Sequence, residues 1–149
     1  MDWSDYKNEF GIEGRARQLI IPNTTPADWQ LWLDYLSATD TEVLYFVDGN
    51  AACLPEDVRE MLQPDGRLRA LHITPRGLKL IADLTVFDQI RLRFYPGWIA
   101  DEDRARLLFR MMSTAGRALE KGVVVSGPDD AAIFQYLPGR GVEYVVDSP

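Results

Sequence analysis

The sequence predicts an α+β fold, on three observations. Strand-like runs cluster in mid-chain, at RLRALHI (67–73), LKLIADL (78–84) and QIRLRFY (89–95), joined by short turns. Two major helices flank them, one in TPADWQLWLDYL (25–36) and a longer one from about Asp101 to Lys121. Strands grouped between helices, rather than alternating with them, favour a mostly antiparallel sheet with both helices packed on one face, a single layer pair. The competing arrangement is an α/β layer built on 17–21, 41–47 and 122–125.

In chain order, residues 1–14 form a lead-in with one helical turn, ending at the glycines of GIEG. RQLII (17–21) is a short strand. Thr25 can then cap a helix, Pro26 fills its first position, where no N–H is needed, and Asp28 meets its positive end. That helix runs to about Ser37. TEVLYFV (41–47) is rich in β-branched and aromatic residues, hence a strand, closed by the turn pair Asp48-Gly49. LPEDVREML (54–62) reads as a short helix with Pro55 and two acids in its first turn, and PDG (64–66) as a turn. Along 67–73, Leu68, Ala70 and His72 alternate with Arg67, Arg69, Leu71 and Ile73. Along 89–95, Ile90, Leu92 and Phe94 alternate with Arg91, Arg93 and Tyr95, which predicts a half-buried strand with a basic outer face. Asp101, Glu102 and Asp103 open the long helix and Gly122 stops it. GVVVSG (122–127) is a buried strand, AIFQYL (132–137) fits either a strand or a helical turn, and VEYVV (142–146) is a last strand. Residues 1–149 are expected to form one domain, with 139–149 as its tail.

The helices raise the functional question. Trp29, Trp32, Leu33 and Leu36 share one stripe of the first, and that stripe is core. Leu31 and Tyr35 lie one turn apart on nearly the opposite side, beside Asp28. In the long helix, Leu108, Phe109, Met112, Ala115, Gly116 and Leu119 form the core stripe. Leu107, Met111 and Ala118 lie off it, and Arg106, Arg110 and Arg117 make a basic edge. Each helix thus carries a second, smaller apolar strip. Three covers are open to these strips: the lead-in with Trp3, Tyr6 and Phe10, the C-terminal tail, or a partner.

Sixteen basic against 23 acidic residues give a net charge of −7. That balance opposes binding to nucleic acid or to an anionic membrane, and favours either plain solubility or a basic protein partner. No apolar run approaches the ~20 residues that a bilayer requires. The start MDWSDYKNEF lacks the basic head and apolar middle of a signal peptide, and one cysteine excludes an internal disulfide framework, so the expected location is the cytoplasm.

Chemistry is sparse. One histidine and one cysteine make a zinc site improbable, and Asp101, Glu102 and Asp103 are better explained by the helix dipole than by a metal ion. His72 has no nucleophile motif nearby. Cys53 reads as a small buried thiol. Asp83 and Asp88 flank a loop, where acids are usually solvated turn residues. GPDDAAIF and PGRG lack the spacing and lysine of a phosphate loop. No catalytic, cofactor or metal residue is therefore assigned. Acids gather at Asp28 and Asp34, at Asp40 and Glu42, at Glu56, Asp57 and Glu60, and at Asp129 and Asp130.

The sequence of TPADWQLWLDYLS, TEVLYFVDG, a strand meander with IRLRFYPG, a long helix and VVVSGPDDAAIFQYLPG resembles small acidic immunity proteins of bacterial polymorphic-toxin systems, over most of 17–138. The resemblance implies a non-enzymatic cytoplasmic antidote that binds a cognate toxin domain, and the charge favours a basic, nucleic-acid-acting one. The expected contact residues are Asp28, Leu31, Asp34, Tyr35, Glu56, Asp57, Glu60, Leu107 and Met111. Two rival readings are an enzyme or small-ligand binder with convergent polar groups such as His72, Asp83 and Tyr95, and a self-associating subunit.

Overall fold

A computed structural model describes residues 1–10, 15–85, 87–127 and 131–145. The chain runs α1 (Trp3–Tyr6), β1 (Arg17–Pro22), α2 (Pro26–Ser37), β2 (Glu42–Val47), β3 (Asn50–Ala52), β4 (Arg69–Thr74), β5 (Leu80–Asp83), β6 (Gln89–Phe94), α3 (Glu102–Leu119), β7 (Val123–Ser126), β8 (Ala132–Leu137) and β9 (Gly141–Tyr144). Single 3₁₀ turns stand at Lys7–Phe10, Val58–Glu60 and Pro96–Trp98. The fold is α+β. Its described strands form one sheet in the order β3-β2-β4-β5-β6-β1-β7-β8-β9. Every neighbouring pair is antiparallel, which rules out the α/β layer. β1 enters between β6 and β7 and so joins the central meander to the C-terminal hairpins.

Burial follows the two-residue period of a strand. Leu19 and Ile21, Leu71 and Ile73, Leu80 and Ala82, Ile90, Leu92 and Phe94, and Val123 and Val125 are buried. Between them Gln18, Ile20, Ala70, His72, Arg91, Arg93 and Val124 are only half-buried. One sheet face is therefore core and the other a mixed surface.

α2 begins as a capping box. The Thr25 hydroxyl accepts from the Asp28 N–H at 3.2 Å, and the Asp28 carboxylate accepts from the Thr25 N–H at 3.0 Å. Thr25→Ala removes half of this box and is expected to lower stability by about 1 kcal/mol, read as a lower urea midpoint with unchanged slope. Trp29, Trp32, Leu33 and Leu36 are buried, the stripe that helical spacing predicts. In α3, Asp101 caps the Arg104 N–H at 2.9 Å and Glu102 pairs with Arg106 at 3.0 Å, so these acids serve the helix start. α2 and α3 pack on one another. Gly116 lets β8 approach: a Cβ there would overlap the Tyr136 ring and stand 3.0 Å from the Lys121 carbonyl oxygen.

The lead-in is part of the core. Tyr6 and Phe10 are buried; Tyr6 meets Phe109 edge-on at 5.3 Å, and Phe10 stacks on Phe134 at 5.6 Å. The Tyr144 hydroxyl donates to Glu9 at 3.0 Å, tying the segment to β9. Of the three covers open to the helices, the lead-in therefore lies along α3 on the side of Phe109.

Several boundaries differ from expectation. LPEDVREML is not a helix beyond Val58–Glu60: Asp57 stays extended and its carboxylate accepts the Arg59 N–H at 2.9 Å, which delays the start, and the turn at 64–66 follows at once. β3 (Asn50–Ala52) was not expected. Asp48 and Gly49 both take positive φ, 51° and 82°, so this turn folds the chain back on β2 and recruits a strand without β-branched residues. β4 starts at Arg69, and Leu68 is 72% exposed. β5 covers only Leu80–Asp83 of the expected 78–84. α3 ends at Leu119 with Glu120 in the left-handed region at φ 54°, ahead of Gly122. Phe109, assigned to the core stripe, is half-buried against Tyr6, whereas Met111, assigned off it, is buried. Cys53 is exposed. AIFQYL is a strand. The GIEG glycines, Asp129, Asp130 and Val146 lie outside the described residues.

Candidate functional site

The two apolar strips, assigned separately to α2 and α3, meet. Tyr35 and Leu36 of α2, Leu107, Arg110, Met111 and Thr114 of α3, residues 39–41 of the α2–β2 connection, and Pro75 and Arg76 after β4 line a groove of about 220 Å³. Tyr35 is 39% exposed, and Leu31, one turn earlier on α2, is 50% exposed. Leu107 is half-buried and Met111 forms the floor, 6% exposed. These exposures follow from helix packing: α2 spends Trp29, Trp32, Leu33 and Leu36 on the core, which leaves Leu31 and Tyr35 on its outer side. At the rim Arg76 pairs with Asp40 at 3.6 Å, both well exposed, so that pair adds little energy.

Along α2 the surface turns acidic. Asp34 accepts from the Gln30 side-chain Nε2 at 2.9 Å, and the Gln30 Oε1 accepts the Val58 N–H at 2.7 Å, which holds the 3₁₀ turn against the helix. This brings Glu56, Asp57 and Arg59 beside Pro26, Ala27 and Gln30 around a shallow depression. Glu60 is exposed on the same turn. Asp57 is less available than its neighbours. The Arg59 guanidinium chelates it at 3.2 and 3.1 Å, and hydrogen bonds from the Arg59 side chain and backbone hold its carboxyl below the usual carboxylate range. Asp28 is likewise engaged, in the capping box and with Lys121 at 3.9 Å. Of the nine expected contact residues, Tyr35, Leu107 and Met111 thus converge in one groove, Leu31 and Asp34 are exposed on the outer side of α2, Glu56 and Asp57 line a separate depression against the start of α2 with Glu60 exposed on the same turn, and Asp28 belongs to the helix start.

The polar trio of the rival reading lies on the outer face of the sheet. Asp83 accepts from the Arg93 Nε at 3.2 Å, and the Arg93 guanidinium approaches the Tyr95 hydroxyl at 3.5 Å. His72 stands two strands away from β6, its ring 4.5 Å from that of Phe46. Desolvation, then the positive charges of Lys79 and Arg93, push its pKa below 6.5, against Asp83, which raises it. The unfolded chain therefore takes up this proton at higher pH than the folded chain. The stabilisation from neutral His72 is complete above pH 6.5 and is lost as pH falls toward the folded value. The urea midpoint of the native chain is expected to fall relative to that of His72→Gln between about pH 7 and about pH 5; a constant difference would refute this.

The alternation of Arg91, Arg93 and Tyr95 marks the basic outer face of β6 in the sequence, whereas the placing of Gln18 and Asp83 beside Arg91 and Arg93 comes only from the neighbouring strands. Comparison with protein-family models, with characterised proteins and with solved structures found no match to this chain.

Proposed function

We propose that this protein is a cytoplasmic immunity or inhibitor-type module that captures a basic toxin domain, one acting on nucleic acid, through the α2–α3 groove and the acidic surface beside it. In this reading both helices cover the core face of the sheet as a single layer, which leaves their outer strips free for a partner. The observation that carries the proposal is the convergence of Tyr35, Leu107 and Met111 at one groove, with Leu31 and Asp34 exposed along the outer side of α2 and the acids Glu56 and Glu60 exposed on the turn beyond that helix. An aromatic and aliphatic centre with a charged rim is the anatomy of a protein interface. The net charge of −7 would steer a basic partner and repel nucleic acid itself. Binding here needs no bond-making residues, which fits the scarcity of chemical motifs.

The test is co-expression with the protein encoded beside it, followed by purification of the complex and titration. Tyr35→Ala and Leu107→Ala are each expected to weaken the complex by roughly 30-fold or more, the scale of an interface anchor, with the urea midpoint nearly unchanged for the exposed Tyr35 and modestly lowered for the half-buried Leu107. A complex indifferent to both substitutions would move the interface elsewhere. Concentration-dependent dimerisation abolished by Tyr35→Ala would identify the groove as a self-association surface instead.

A further inference from the structure

We propose that the outer face of the sheet around Arg91 is a second docking surface, and that it takes an acidic protein segment whose glutamate or aspartate carboxylate seats against Arg91 and Arg93. The strand register builds this place. Leu44 of β2 lies opposite His72 of β4, His72 opposite Ile81 of β5, Ile81 opposite Arg93 of β6, and Arg93 opposite Gln18 of β1. Ile20 stands opposite both Arg91 and Val124 in the next row. The middle of the face thus holds Arg91 and Arg93 with Asp83, Leu44 lies to one side, and Ile20 and Val124 lie to the other, ahead of Gln135.

Between the strands Gln18, Asp83, Thr85, Arg91 and Arg93 enclose a cavity of about 100 Å³. That space suits a carboxylate with a water or two, and is small for a nucleotide or cofactor. Its donors are unequally occupied. Arg93 is matched by Asp83 at 3.2 Å. Arg91 makes no ion pair among the described residues, and its Nε is buried without an acceptor. A guanidinium N–H taken out of water and left unmatched is costly to the free protein, and an incoming carboxylate on the outer N–H donors of the same group would offset that cost. Lys79 carries a further positive charge on this surface, and His72 feels it together with that of Arg93. This positive field stands out in a chain of net charge −7.

Charge complementarity selects the occupant. Few cations on an acidic protein are a poor match for a polyphosphate backbone, whose affinity grows with the number of phosphates neutralised. One or two carboxylates fit the available charge. Apolar residues to either side, Leu44 at 46% exposure with Phe46, Ile20 and Val124 half-buried, can exclude water around the ion pair and strengthen it.

The probe is the arginine Nε–H resonance of Arg91, followed by NMR while the chain is titrated with capped tetraglutamate, capped tetralysine or inorganic phosphate. Tetraglutamate is expected to give a saturable shift that weakens with added salt, and Arg91→Gln to abolish saturable shifts at the neighbouring Arg93 Nε–H. Gln18→Ala is the second variant; it leaves both guanidinium groups in place and should weaken the same titration several-fold. Tyr35→Ala should leave it unchanged, which separates this surface from the α2–α3 groove. Absence of any saturable shift, phosphate binding as tightly as tetraglutamate, or the same shifts arising from self-association on concentration would each overturn the proposal.

Discussion

Trp29→Ala is expected to lower the free energy of unfolding by about 3–5 kcal/mol. Trp29 is 1% exposed, packs edge-on against Trp32 at 6.1 Å, and donates from its indole Nε1 to the Phe87 carbonyl at 3.1 Å. Truncation removes one of the two indoles buried under α2 and one of the hydrogen bonds that hold the loop before β6. That loop would then be held to the α2 start by the Thr24 hydroxyl on the Phe87 carbonyl at 3.2 Å and the Thr24 N–H on the Asp88 carbonyl at 2.9 Å. The loss is a large fraction of the ~5–15 kcal/mol that holds an ordinary domain together. Trp29→Phe separates the two contributions, since it keeps most of the volume and loses the N–H, and should cost about 1 kcal/mol for the hydrogen bond plus a modest packing loss. Urea unfolding of both variants checks this. A loss below about 1 kcal/mol for Trp29→Ala would mean that the indole is not buried in the native core.

Phe134→Ala is expected to be comparably severe, about 3–5 kcal/mol, with a localised signature. Phe134 is fully buried where the lead-in, α3 and β9 meet. Its ring lies 5.5 Å from Tyr6, 5.6 Å from Phe10, 4.9 Å from Phe109 and 5.3 Å from Tyr144. Removing it takes away the common contact of all four rings, so the short helical turns of residues 3–10 lose their platform before the sheet does. Hydrogen exchange in that segment should rise by more than the global loss of stability accounts for. Uniform change along the chain would show that the lead-in folds independently of this cluster.

Much of the fold was legible because it rests on local rules. The Thr25–Pro26–Asp28 start needs only the unsatisfied N–H groups of a helix end, and Trp29, Trp32, Leu33 and Leu36 follow from 3.6-residue spacing. The alternation of Ile90, Leu92 and Phe94 with Arg91 and Arg93 is likewise a local pattern. Where neighbours decided, reading failed. Asn50–Ala52 has no strand signal of its own and becomes one because the turn at Asp48 and Gly49 lays it against β2. Residues 54–62 carry helix formers, but Gln30 claims the Val58 N–H and Asp57 holds the chain extended ahead of it. Met111 and Phe109 exchanged their expected burial because the lead-in and α2 approach α3 from different sides, which no helical wheel contains.

The candidate groove divides the same way. That Leu31, Tyr35 and Leu107 would remain outside the core was readable from angular position on each helix. That Tyr35, Leu107 and Met111 would meet depends on how α2 and α3 dock, and the desolvation of the Arg91 Nε depends on β1, β5 and β6 lying side by side. Capping, periodicity and turn chemistry act within a few residues, so the amino-acid order alone determined the helix starts, the core stripes and the sign of the molecule's charge. The central place of β1, the covering of α3 by the lead-in, and the pairing of two apolar strips into one groove come from contacts between residues far apart in the chain. Only packing in three dimensions could decide them, because burial depends on what a side chain faces, and that partner lies elsewhere in the chain.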